Sequence, residues 1–86
     1  MMKELSQTIE MMLSADYKER FKAEYWQIKI RLEKLDELLL KHSAGKLDFM
    51  LSCDVGILVC QRNCMKDYLL CLAKRAAIEG IELEEV

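Results

Sequence analysis

A chain of 86 residues with four Cys, three Gly and no Pro supports one domain. At this length folding buries only about 60% of the unfolded surface, so tight helix packing or self-association has to supply stability. The formal net charge of −2, with few turn formers, excludes a non-specific DNA binder and a disordered or all-β chain.

Residues 1–13 read as a short helix, with Leu5, Ile9, Met12 and Leu13 at helical spacing. Lys3, Glu4 and Glu10 break its apolar character, so it is not read as a signal peptide. No apolar run approaches the roughly 18 residues of a membrane span. The expected location is therefore cytoplasmic. Asp16 followed by Glu19 resembles a capping box and predicts a long helix over 16–42. Phe21, Tyr25, Ile28, Leu32, Leu35 and Leu39 form a seam with spacings 4, 3, 4, 3, 4. Trp26, Ile30, Leu38 and Leu40 widen that seam to the face of a bundle helix. Lys41, His42 and Gly45 suit the helix end.

A loop carrying Leu47, Phe49, Met50 and Leu51 is expected to pack back on the helices. Ser52 or Asp54 then caps a second long helix over 54–79, with Leu58, Met65, Leu69, Leu72 and Ala76 as its inner stripe. Gly80 ends it, and an acidic tail over 80–86 follows, with Ile81 and Leu83 able to tuck inward. The predicted architecture is all-α, a single domain over 1–86. A short N-terminal helix lies across an antiparallel hairpin of two long helices, assembled into a homo-oligomeric bundle.

The four cysteines, Cys53, Cys60, Cys64 and Cys71, are spaced 7, 4 and 7. At about 100° per residue they share one helix face within about 40°. Ligands strung out about 10 Å apart along an axis cannot surround one ion, so no metal site is expected. Neighbours on one stripe cannot form intrachain disulfides either. Burial at a helix–helix or subunit contact is the expected role, with Cys60, Cys64, Tyr68 and Cys71 as the interface. His42 has no nucleophile placed beside it and reads as a helix C-terminal cation. With no Gly-rich phosphate loop, metal-binding helix motif or designed carboxylate pair, neither catalysis nor a cofactor is expected.

One cluster could bind a ligand. Tyr17, Lys18, Arg20, Phe21, Lys22, Tyr25, Trp26 and Lys29 crowd into thirteen residues. Aromatic rings stack on bases, and Lys or Arg neutralises phosphate. Tyr17, Lys18, Arg20, Lys22, Tyr25, Trp26 and Lys29 are the candidate ligand-binding set. The same pattern also suits a core of Phe21, Tyr25 and Trp26 beneath a solvated basic face.

Residues 12–45, MLSADYKERFKAEYWQIKIRLEKLDELLLKHSAG, resemble the start of a family of very short helical phage and prophage proteins, typified by a small protein of crAss-like phages. The family pattern continues through Lys46, Leu47, Asp48 and Phe49, then Cys53, Met65, Tyr68 and Leu69, and closes with Arg75, Ala76, Glu79, Gly80 and Ile81. The resemblance covers about residues 12–83, leaves 1–11 as an added helix and does not require Cys60, Cys64 or Cys71. It implies a phage accessory protein acting in the infected host. In size and three-helix layout the chain is also similar to phage anti-CBASS sponges, helical oligomers that trap cyclic oligonucleotides between subunits. Three readings follow: a homo-oligomeric sponge for cyclic oligonucleotide signals, an anti-CRISPR-type inhibitor of a host defence protein, and a structural oligomerisation module.

Overall fold

The computed structural model describes residues 4–83, and the described residues form helices and no strand. A 3₁₀ turn over Leu5–Thr8 runs into a single α-helical turn, α1, at Ile9–Met12. Two long helices follow: α2, Tyr17–Ser43, and α3, Val55–Glu79. α2 starts where Asp16 accepts a hydrogen bond from the Lys18 amide at 3.0 Å. The expected capping box is only half made, because Glu19 turns instead to Lys22 at 3.1 Å. Gly45 takes the left-handed conformation just beyond the Ala44 cap, at φ 72°. Asp54, rather than Ser52, caps α3 through the Gly56 amide.

The long helices pack antiparallel. Their register is pinned by contacts that pair α2 positions with α3 positions in descending order. Asp36 meets Arg62 at 2.6 Å. Glu24 accepts a hydrogen bond from Tyr68, and Glu79 accepts one from Tyr17 at 2.8 Å. Between these pairs, α3 turns Val55, Leu58, Arg62, Met65, Leu69, Leu72 and Ala76 inward at spacings 3, 4, 3, 4, 3, 4. Leu72 and Ala76 meet Phe21 in the main core cluster, and Ile81 folds under it with Tyr25 and Leu83 at its edge. Gly80 makes that return fold possible, because φ 72° is strained for any residue with a Cβ. Residues 84–86 of the acidic tail lie outside the described residues, as do 1–3 of the first segment.

The N-terminal segment departs from expectation. It does not lie across the hairpin. The 3₁₀ turn and α1 pack on α2 alone, and so does α3. α2 therefore carries two apolar faces. Phe21, Tyr25, Ile28 and Leu32 form one, and Ala23, Trp26 and Ile30 lie about 180° away around the helix. Gln27, on the second face, donates to the Thr8 hydroxyl at 3.0 Å, and that hydroxyl donates to the Leu5 carbonyl at 2.7 Å. Thr8 is the residue this segment buries. The expected stripe of Ile9, Met12 and Leu13 stays exposed, since a 3₁₀ turn of three residues per turn rotates the apolar positions away.

Two further expectations are corrected. Phe49 and Met50 of the loop are exposed, and only Leu47 and Leu51 turn partly inward. Cys53 lies in the loop before α3, so the stripe on the helix is Cys60, Cys64 and Cys71, and its exposure in the single chain removes the helix–helix contact within the chain, not the subunit contact. Packing within the chain is made by larger side chains on the opposite side of α3.

Leu72 is 1% exposed at the centre of the α2–α3 contact. Leu72→Ala is expected to lower unfolding free energy by about 2–5 kcal/mol, read from urea denaturation followed by circular dichroism.

Candidate functional site

The seven candidate ligand residues of α2 do not share one surface. Lys18, Lys22, Tyr25 and Lys29, at spacings 4, 3 and 4, fall in one stripe about 60° wide. Tyr17 lies about 120° round from the centre of that stripe, and Arg20 about 180°. Arg20 donates to the Ser14 carbonyl at 2.9 Å and so braces the turn before α2. Trp26 is 3% exposed, so its ring offers no open face for a base. It meets Tyr25 edge-on, with ring centroids 5.5 Å apart, and supports Tyr25 from the side.

Tyr17 belongs to a network that closes the end of the hairpin. Its hydroxyl donates to Glu79 at 2.8 Å and accepts from Arg75 at 2.8 Å. Arg75 also reaches Glu79 at 3.3 Å and lies 4.9 Å over the Phe21 ring. Tyr17 meets the same Phe21 ring edge-on at 6.2 Å. Arg75, Glu79, Phe21 and Tyr17 thus tie the two helices together where Ile81 turns under. Glu79 is the main reason the Tyr17 phenol is held above the ordinary tyrosine range, because the bond is made only while the phenol keeps its proton. Glu24 does the same for Tyr68.

The stripe around Tyr25 is differently placed. Tyr25 is half-buried and lines an open groove of about 290 Å³ between α2 and α3. Leu69, Leu70 and Ala73 form its apolar wall, and Lys66 and Asp67 stand at its margin. The groove combines an aromatic ring, an apolar wall and a cation from the other helix. Lys22 and Lys29 flank Tyr25 along α2 and are paired with Glu19 at 3.1 Å and Glu33 at 3.7 Å. Such half-exposed pairs are worth at most about 1 kcal/mol, so an incoming anion can displace the glutamates at small cost. Lys66 is the residue that sequence reasoning missed. It lies 41 positions from Tyr25 and only the hairpin register brings it near; no local signal marks it.

A second cavity, of about 540 Å³, lies in the loop between the helices and is lined by His42, Leu47, Phe49, Met50, Cys53 and Asp54. Among the described residues, no three His, Cys, Asp or Glu side chains gather where they could hold a metal ion. On α3, the neighbouring Cys60 pushes the Cys64 thiol above its ordinary range, with burial and Asp67 adding to the effect. A thiol raised in this way is a poor nucleophile at neutral pH. No helix among the described residues is long and apolar enough to cross a membrane.

The family model of Sequestin matches residues 15–78, which span both long helices and the loop between them, and the chain belongs to that family. No curated protein and no solved structure matches the chain.

The tyrosine environments predict an alkaline weakness. A raised phenol contributes stability that is complete below the ordinary tyrosine pKa near 10 and is lost as pH rises through the raised value. Stability should therefore fall above about pH 10, and less steeply in Tyr17→Phe/Tyr68→Phe, as read by denaturation midpoints from pH 8 to 11.5.

Proposed function

We propose that this member of the Sequestin family is a phage-encoded counter-defence protein that sequesters cyclic oligonucleotide immune signals without cleaving them and works as a homo-oligomer in the cytoplasm of the infected host. The family's name supports sequestration. The observation that carries the ligand class is the groove lined by Tyr25 and Lys66, with Asp67 at its margin, and the stripe of Lys18, Lys22 and Lys29 that continues from Tyr25 along α2. A base stacked on Tyr25 against Leu69, Leu70 and Ala73 would leave its phosphates among those lysines. Stacking supplies about 1–3 kcal/mol per base and is tolerant of base identity. The lysines add charge-assisted hydrogen bonds to the phosphates. Of the candidate residues, Tyr25, Lys18, Lys22 and Lys29 make the site, Trp26 supports Tyr25, and Tyr17 and Arg20 hold the scaffold.

Sequestration needs affinity and no chemistry, and the groove's aromatic ring, apolar wall and lysine are binding groups. The network of Tyr17, Arg75 and Glu79 keeps the two groove walls at fixed separation, so less ordering is left to be done on binding.

Isothermal titration calorimetry against a panel of cyclic di- and trinucleotides tests this reading. At least one member should give saturable heat and be recovered intact by chromatography. Tyr25→Ala and Lys29→Glu should each weaken it about tenfold or more, and Arg20→Ala by less than about twofold. Heat with no member of the panel would sink the reading. Stoichiometric capture of one host protein in its place would favour an inhibitor of the anti-CRISPR type.

A further inference from the structure

α3 carries two heptad-spaced seams on opposite sides, and the chain uses only one. The inner seam begins at Val55 and packs on α2. Two residues on, about 200° round the helix, a second seam runs through Ile57, Cys60, Cys64, Asp67, Cys71, Lys74 and Ile78, again at spacings 3, 4, 3, 4, 3, 4. Every member is exposed, Ile57 to 60% and Ile78 to 85%, with Leu70 beside them at 54%. A helix with apolar residues on two opposite sides ordinarily has both sides covered. Neither the 3₁₀ turn nor α1 covers this side of α3, because both pack on α2 alone.

Charge decides what fits there. The seam has one acid and one base, Asp67 and Lys74, both exposed and neither making an ion pair among the described residues. A second copy laid parallel and in register would set Asp67 on Asp67 and Lys74 on Lys74. An antiparallel copy centred on the middle of the seam would still set Asp67 against its own equivalent. An antiparallel copy whose two-fold axis passes at the midpoint of Asp67 and Lys74, between Leu70 and Cys71, faces each acid with the other copy's base. It does so twice, and it sets Ile78 over the small side chain of Cys64.

We propose that the outer seam of α3 from Cys64 to Ile78 is a self-association surface on which a second copy packs antiparallel, with Cys71 at the two-fold axis and Ile57 and Cys60 beyond the end of the partner's helix. This deepens the proposed function, resting on its self-assembly and not on its ligand. The Tyr25 groove shares Asp67 with this seam and has Lys66 and Leu70 at the same edge. A copy seated on the seam runs along the open side of the groove and supplies it with a further wall. The cysteines are small where two helices come close at the crossing, and larger side chains would hold the helices apart. Antiparallel packing also opposes the two helix dipoles.

Charge swaps and cross-linking test the arrangement on the full chain, with circular dichroism confirming that each variant is helical. Light scattering should give a dimer or an even multiple. Asp67→Lys and Lys74→Asp should each weaken association about tenfold or more, and the double swap should restore it. In variants keeping one seam cysteine, the others and Cys53 changed to Ser, a short bis-maleimide should join copies through Cys71. Cys64 and Cys60 should not link, since they would lie about 20 Å and 30 Å from their equivalents along the axes. Single swaps without effect, or equal linking at all three positions, would overturn the antiparallel arrangement and leave self-assembly standing. A monomer at every concentration would overturn both, and calorimetry would still decide the ligand reading separately.

Discussion

The fold depends on α2 being buried from two opposite sides. A 27-residue helix with apolar residues on both faces needs two partners, and this chain supplies a long one and a short one. α3 covers Phe21, Tyr25, Ile28 and Leu32. The N-terminal segment packs on α2 alone, latched through Thr8 and Gln27. The order is therefore linear, with α2 in the middle, and the extents of 43 × 24 × 21 Å are those of a slab about one long helix in length. A linear order leaves α3 with one side open. In a bundle closed on itself that side would be core.

The same constraint sorts the polar residues. Those at the hairpin ends and edges are spent on register: Asp36 with Arg62, Glu24 with Tyr68, and Tyr17 with Arg75 and Glu79. Each holds a specific α2 turn against a specific α3 turn, and apolar contacts that tolerate sliding by a heptad cannot do that alone. The lysines around Tyr25 are different. Their partners, where they have them, are glutamates one turn away on the same helix, which fix no tertiary geometry and can be exchanged. Exchangeable cations beside a half-buried ring suit an anionic ligand with a flat apolar part.

Much of the architecture was legible in the sequence because helical periodicity is a local property. The heptad seam of α2, the cap at Asp16, the stop at Gly80 and the inner stripe from Leu58 to Ala76 all follow from side-chain spacing and backbone chemistry. What misled was the assumption of a single apolar face. Trp26 and Ile30 read as a widening of the first seam, when they begin a second on the other side. Residues 1–13 read as one short helix, and spacing alone does not distinguish a 3₁₀ turn that buries a threonine. The cysteine stripe is legible in the spacing, but whether a stripe faces in or out is set by which helix face has a partner.

The sequence by itself determined the class of fold, the ends of the two long helices and the presence of a basic, aromatic stretch at the start of α2. Each of these is decided within a turn or two of the chain, by capping, helix propensity and the 3.6-residue repeat. Only the tertiary structure decided which of those aromatics are buried, that Lys66 stands beside Tyr25 and that Tyr17 is held by Arg75 and Glu79. It also decided that the cysteine seam faces outward. These outcomes depend on the rotation of each helix about its own axis and on hairpin register. Both are settled by contacts between residues tens of positions apart, to which a local pattern carries no reference.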